Sequence, residues 1–241
     1  MAYAVISDVH ANLHALEAVL LDINARGIDE IHFGGDAVGY GPKPNECIRI
    51  LKAGCKTLVA GNHDWALIGY TDMEYFNPYA AAAILWSRGV VTQEHFGDLT
   101  AFKILKTLDE HDALVVHSTP LEPENWNYLF SSDDIEKNFL HFTRKICFVG
   151  HSHFPVIVEK QAAGELTGYK NRVEFNDSCR YIINVGSVGQ PRDHDPRAAY
   201  AVIHDAFAEI VRVQYDVKKT QQEMLDVGLP DKLIERLSHG V

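Results

Sequence analysis

The chain has 241 residues, of which 46% are hydrophobic, 10% aromatic and 23% charged, a globular composition that argues against disorder and against collagen-like or coiled-coil architectures. At this length roughly 70–75% of the unfolded chain's surface is buried on folding, enough for one large α/β domain without help from disulfides. Lys and Arg number 22 against 33 Asp and Glu, and the formal charge of −11 repels polyphosphate backbones and disfavours nonspecific nucleic-acid binding.

Tyr3-Ala4-Val5-Ile6 reads as a short buried strand, and Leu13, Leu16, Leu20 and Ile23 then share one helical face that Gly27 ends. Ile31-His32-Phe33 forms a second strand running into Gly34-Gly35-Asp36, and Pro44 suits the first turn of a helix carrying Cys47, Ile48 and Leu51. A third strand, Thr57 to Val59, ends in Gly61-Asn62-His63-Asp64. Two helices follow, about Pro78 to Arg88 and about Thr92 to Leu108, the run Ala80-Ala81-Ala82-Ala83 marking close helix packing. Ala113-Leu114-Val115-Val116 is a fourth strand that stops at His117. A loop with Pro120, Pro123, Trp126 and Tyr128 leads to a helix capped at Ser131 or Ser132. Ile146-Cys147-Phe148-Val149 then reaches Gly150-His151-Ser152-His153. Beyond it the pattern turns to strands: Pro155 to Val158, Val173 to Phe175, Tyr181 to Val185, Ala199 to Ile203 and Glu209 to Tyr215. Helical patterns over Val217 to Val227 and Pro230 to Ser238 make 217–241 a short C-terminal tail, and with no repeat or linker one domain over 1–241 is expected. Cys47, Cys55, Cys147 and Cys179 lack C-x-x-C spacing and are expected as packed, reduced thiols, which fits a cytoplasmic protein. No apolar run approaches the roughly 18 residues that span a bilayer, so neither membrane anchor nor signal peptide is expected.

Five apolar strands each end in residue types that ligate metals: Asp8 and His10, Asp36, Asn62 and His63, His117, and His151 with His153. In open α/β sheets ligands bind beyond the carboxyl ends of the strands, where the loops converge. Asp-x-His and His-x-His spacing puts both side chains on one side of an extended segment. Oxygen and nitrogen donors without a thiolate suit Mn, Fe, Zn or a related divalent ion rather than a structural zinc. Seven such ligands exceed one tetrahedral ion and suffice for two that share a carboxylate, the arrangement that serves in-line displacement at phosphorus. Asp36, the lone acid on its loop, is the expected bridge.

Asp8-Val9-His10, Gly34-Gly35-Asp36-Ala37-Val38-Gly39, Gly61-Asn62-His63-Asp64, His117 and Gly150-His151-Ser152-His153 resemble, in order and spacing, the motif set of the calcineurin-like metallophosphoesterases. Gly39-Tyr40-Gly41-Pro42 and Asn184-Val185-Gly186-Ser187-Val188-Gly189-Gln190-Pro191-Arg192 look most like its small prokaryotic phosphodiesterase branch. The resemblance implies an α/β fold, a four-layer α/β/β/α sandwich of two mixed sheets with the metal site at the carboxyl ends of the strands. It implies Asp8, His10, Asp36 and His153 around one metal and Asp36, Asn62, His117 and His151 around a second. It makes His63 the non-ligand histidine beside the leaving group, oriented by Asp64 through a carboxylate–imidazole hydrogen bond. Ser118 stands after His117 where the family usually carries Gly.

The expected activity is therefore that of a binuclear metal-dependent phosphoesterase, by its branch a phosphodiesterase, in which hydroxide held between the metals attacks phosphorus in line. The cofactors are two divalent ions, Mn or Fe favoured and Zn or Ni as alternatives, and the substrate is a small phosphorylated molecule. Tyr40 borders the bridging acid and is a candidate substrate contact. Arg192 is another, able to fork onto a phosphate oxygen unless Asp193 or Asp195 claims it. A dinucleoside polyphosphate hydrolase and a phosphomonoesterase remain alternatives on the same residues, with a noncatalytic metal-binding scaffold a remoter one. His-x-His followed by Phe154-Pro155 departs from the early His-x-His-x-Asp-His of two-metal lactam hydrolases, and no Gly-x-Ser-x-Gly elbow offers a protein nucleophile. His14, His32, His95, His111, His141, His194, His204 and His239 fall outside the ligand pattern and are assigned to packing or surface.

Overall fold

Side chains alternate along a strand, so each buried strand feeds two different cores. In the computed structural model, which describes residues 2–241, β1 (Tyr3–Ile6) sends Tyr3 and Val5 to one core and Ala4 and Ile6 to another. It pairs in parallel with β2 (Ile31–Phe33), which pairs in parallel with β3 (Thr57–Leu58). The remaining strands are β4 (Leu105–Leu108), β5 (Ala113–Val116), β6 (Ile146–Val149), β7 (Val156–Lys160), β8 (Leu166–Tyr169), β9 (Arg172–Glu174), β10 (Arg180–Asn184), β11 (Ala198–Ile203) and β12 (Phe207–Val213). They form two mixed six-stranded sheets, β3-β2-β1-β11-β12-β9 and β4-β5-β6-β10-β7-β8.

Tyr3, Val5, Ala201 and Ile203 of the first sheet meet Val115, Phe148, Tyr181 and Ile183 of the second in the inter-sheet core. The outer face of the first sheet is covered by α1 (Leu13–Ala25), α2 (Pro44–Gly54), α3 (Asn62–Ile68) and α5 (Gln93–Ala101), which bring Leu16, Ile48, Leu67 and Leu99 against Phe33 and Val202. The second is covered by α6 (Ser132–Phe139), whose Phe139 packs on Leu114, Cys147 and Ile182. These are the four layers expected. Between α4 (Pro78–Val90), α7 (Val217–Asp226) and α8 (Asp231–Arg236), a smaller cluster sets Ala80, Ala83, Met224 and Leu233 under Tyr40, so the alanine run does pack closely and the tail supports the loop after Asp36. The four cysteines are free, and among the described residues no helix is long and apolar enough to cross a membrane.

Two segments differ from expectation. The helix expected to reach Leu108 ends at Ala101, and Leu105–Leu108 instead forms an edge strand antiparallel to β5. Leu105-Lys106-Thr107-Leu108 is too short for its apolar spacing to choose a conformation, and the open edge of β5 decides it. β8, across a turn at Gly164 from β7, was not expected; its side chains are only partly covered, so it lacks a clear alternation.

At the end of the sandwich away from the strand carboxyl termini, Glu30 Oε1 accepts from Lys56 Nζ at 2.9 Å, His32 Nε2 at 3.1 Å and His111 Nε2 at 3.0 Å. This ties β2 to the turn preceding β5. Burial pushes the His32 imidazole down to about 4 despite Glu30 beside it. An unfolded histidine titrates near about 6.5, so between these values the unfolded chain binds a proton that the folded chain refuses, and stability falls as pH drops through that window. Glu30, held down to about 2 by Lys56 and His111 against the effect of burial, loses its contribution only below about 4.5. Replacing His32 with Asn is expected to flatten the dependence of the urea midpoint on pH between 6.5 and 4.5; identical slopes in the two proteins would contradict this.

Candidate metal centre

β1, β2 and β6 lead into abrupt turns made by residues in left-handed backbone conformations. Asp8, His10, Asp36, His151 and His153 have φ of 54°, 48°, 60°, 63° and 60°. Such conformations cost non-glycine residues of order 1–3 kcal/mol each and persist where surrounding structure enforces them. Here the loops lock together: Asp8 N donates to Gly35 O at 2.8 Å, His10 N to Asp36 O at 2.9 Å and Gly150 N to His117 O at 2.8 Å.

The turns bring two groups of ligand atoms together, each group spanning no more than 4.8 Å: Asp8, His10, Asp36 and His153 in one, Asp36, His117 and His151 in the other. All are buried, and Asp36 belongs to both. Its two oxygens are used differently. Oδ1 accepts the backbone N–H of His63 at 2.9 Å, whereas Oδ2 lies 3.6 Å from His10 Nε2 and 3.3 Å from His117 Nε2, one histidine of each group.

Every histidine in the two groups has one ring nitrogen committed to a backbone carbonyl. His10 Nδ1 donates to Val38 O at 3.0 Å, His117 Nδ1 to Gly34 O at 2.9 Å, His153 Nδ1 to Gln190 O at 2.6 Å and His151 Nε2 to Trp126 O at 2.9 Å. A carbonyl only accepts, so in the neutral ring these bonds fix which nitrogen carries the proton and turn the other nitrogen inward, as metal-ligating histidines require. The bare Nε2 atoms of His10 and His153 stand 3.0 Å apart. His117 Nε2 and Asn62 Oδ1 are buried with no hydrogen-bond partner. Converging lone pairs and orphaned acceptors in a buried site are satisfied by cations, and this donor set of carboxylate, imidazole and amide oxygen fits divalent ions.

The electrostatics agree with that fit. Burial holds His10 well below its ordinary range, His151 at about 3 and His153 below normal, the last helped by Arg192. Burial opposes ionisation of Asp8 and Asp36, yet the surrounding imidazoles, His153 at the first and His117 at the second, keep both acids below the usual carboxylate range. His117 is the exception among the four: Asp36 and Asp8 raise it to about 9 against the effect of burial, so its Nε2, 3.3 Å from Asp36 Oδ2, also holds a proton, and a cation entering there displaces it.

His63 lies beside this centre, its ring 4.7 Å from that of His10 and 4.5 Å from that of Tyr40, in a pocket of about 220 Å³ that also receives Arg192 and Arg236. Asp64 does not orient it. Its carboxylate accepts instead from the backbone N–H groups of Asp36 (2.9 Å), Ala37 (2.9 Å), Val38 (3.3 Å) and Gly61 (3.0 Å), and His63 Nδ1 has no partner. Asp64 is the third residue of α3, where an acid turns back to bond the N-cap amide rather than facing its neighbour. It organises the Asp36 loop. Burial and the adjacent Asp36 charge push it up to about 7 while those amides favour its ionised form.

Ser118 turns away from the centre and donates to Pro123 O at 3.1 Å, so its hydroxymethyl group is accommodated. Arg192 is claimed by neither acid considered for it: Asp193 pairs with Arg212 and Asp195 with Arg197. Its Nη2 donates to Tyr40 Oη at 3.2 Å and Gln190 Oε1 at 3.1 Å, leaving the cation beside the pocket. Sequence reasoning missed Arg236, which reaches the pocket from α8, and Trp126, whose carbonyl holds His151; both are joined to the site only by long-range packing. The motif glycines carried a signal of another kind. A Cβ at Gly61 would sit 2.1 Å from Asp36 Oδ1, and one at Gly150 2.3 Å from Asp8 Oδ2.

Two mixed sheets between helical layers, with histidines and aspartates gathered at the strand ends, define a metallophosphoesterase fold. The calcineurin-like phosphoesterase superfamily domain matches residues 1–206, and the chain belongs to that superfamily. An uncharacterised protein of Methanocaldococcus jannaschii is 40% identical over 98% of this chain and 97% of its own length. The crystal structure of a metallophosphoesterase from Sphaerobacter thermophilus is similar at 41% identity and a TM-score of 0.87, covering 100% of this chain and 99% of that one. A hypothetical protein from Pyrococcus horikoshii shares the fold at 18% identity and a TM-score of 0.80, with coverage of 100% and 98%.

Because a side chain at Gly61 would displace the Asp36 carboxylate, Gly61→Ala should reduce retained divalent metal, measured by elemental analysis after gel filtration. Gly97→Ala, at a helical position with nothing within 4 Å of the added carbon, should keep the metal content and gain about 0.5–1 kcal/mol of stability. Equal metal retention in the two variants would contradict the cradle.

Proposed function

We propose that the chain is a binuclear metal-dependent phosphodiesterase. The observation that carries this reading is Asp36, with one oxygen anchored by an amide and the other facing a histidine from each ligand group. Asp8, His10, Asp36 and His153 would hold one ion and Asp36, Asn62, His117 and His151 the other, with Mn or Fe favoured by the donor set. Two divalent ions held there supply an acidified water and neutralise charge on the phosphoryl oxygens.

The chain's own residues do the rest. Arg192 and Arg236 put positive charge on the side where His63 lies, suited to an anionic ester. Burial holds His63 down to about 4, and a phosphodiester anion brought against the ring favours its protonated form, from which it gives a proton to the departing oxygen. Space on both sides of the centre, the arginine pocket and a larger cleft beyond Asn62 and His151, supports a diester with two substituents over a monoester with one. The paired arginines also suit an extended anion, which makes a dinucleoside polyphosphate the second reading.

Asp36→Asn is expected to leave fewer than two ions per chain and to lower kcat/KM by more than about 100-fold, since even residues that only support metal ligands are worth about 10–100-fold. Unchanged turnover with unchanged metal would rule out the shared carboxylate. His63→Gln should cost about 10²–10⁴-fold on an alkyl or nucleoside diester and far less on a nitrophenyl diester, whose leaving group needs no proton, with metal content preserved. Losses of the same size on both substrates would assign His63 to phosphoryl charge instead. Asp64→Asn, which disturbs only the loop, should affect both substrates alike.

A further inference from the structure

We infer that the cleft on the Asn62–His151 side of the centre is a nucleobase subsite, so that the substrate is a phosphoester of a nucleoside; this rests on the phosphodiesterase reading above. The cleft measures about 670 Å³, inside the range of small-molecule sites. It adjoins the catalytic pocket, with Asn62, Phe76, Tyr128 and His151 lining both. A phosphoryl group at the centre can therefore carry one ester substituent into it.

Aromatic side chains form its walls. Trp65 and Trp126 meet edge to face with ring centroids 5.3 Å apart, and Tyr70 meets Trp65 in the same way at 5.8 Å. Tyr128 stacks on the His151 ring at 4.2 Å. Trp126 is fixed at three points: a left-handed backbone with φ of 54°, an indole Nε1 donating to Thr71 Oγ1 at 3.1 Å, and the carbonyl that accepts from His151. Ordering a tryptophan in this way before a ligand arrives removes part of the entropy cost of binding.

The rim decides the occupant. Asp72, Glu124, Asn125 and Asn127 add carboxylate and amide groups to the lining of the aromatic cleft. A lipid tail would set hydrocarbon against this polar lining, whereas a nucleobase offers a flat face to stack and an edge of donors and acceptors to meet it. Trp126 is thus a specificity residue outside the group that touches the reacting atoms.

Calorimetric titration of the manganese-loaded protein with adenosine 5′-monophosphate and with ribose 5-phosphate isolates the base, since phosphate and sugar are common to both probes. The nucleotide should bind about 5- to 150-fold more tightly, the value of one base–aromatic stack. Trp126→Ala should bring the two affinities together and Trp126→Phe should keep most of the difference. Equal affinities in the unaltered protein, or a preference that survives Trp126→Ala, would overturn the subsite. Turnover of bis(p-nitrophenyl) phosphate separates the two claims. Hydrolysis without base preference removes the subsite alone, while base preference without hydrolysis of any diester removes the phosphodiesterase reading.

Discussion

Two carboxylates, Asp8 and Asp36, are fully withdrawn from water at the meeting point of both sheets, and among the described residues no lysine or arginine pairs with either. A buried charge in that position must be compensated, because burial of an unpaired carboxylate costs far more than a domain's net stability can absorb. The chain surrounds them with imidazoles that each commit one ring nitrogen to a carbonyl, so the centre is compensated by positive charge, either the second proton of His117 or a cation that displaces it. Much of the fold around the strand ends follows from that one requirement.

The left-handed turns at Asp8, His10, Asp36, His151 and His153 are unfavourable taken singly. They are enforced by loops that cross-brace one another through backbone hydrogen bonds and by Asp64, which gathers four amides from two of those loops. Glycines at Gly61 and Gly150 let backbone approach to within less than a side chain's width of the two buried acids. The inter-sheet core beneath, built from Tyr3, Phe148, Tyr181 and their neighbours, gives these strained segments a rigid base. Function here depends on a stable sandwich tolerating local strain at one end.

The sequence disclosed which strand ends carry ligands, because ligand residue types recur just after short buried strands, but not the backbone there: Asp8, His10, His151 and His153 are left-handed, so each pair converges through a turn and not through the alternation of an extended segment. It misjudged Asp64, whose adjacency to His63 suggested a contact. Neighbouring residues at a helix start diverge, and the helix N-terminus offered the carboxylate stronger partners. Leu105–Leu108 was illegible for a different reason, since its conformation is set by the edge of β5 rather than by its own pattern. Arg236 and the walls of the Trp65–Trp126 cleft reach the centre from segments far apart in the chain, and nothing local marks them.

The central claim is that Asp36 is shared by two cation positions. Anomalous diffraction from crystals equilibrated with manganese tests it most directly. Two peaks about 3.5–4 Å apart are expected, both within bonding distance of the Asp36 carboxylate, one completed by His10 and His153 and the other by His117 and His151. A single peak at the strand ends, or manganese found only among Glu30, His32 and His111 at the opposite end, would contradict it.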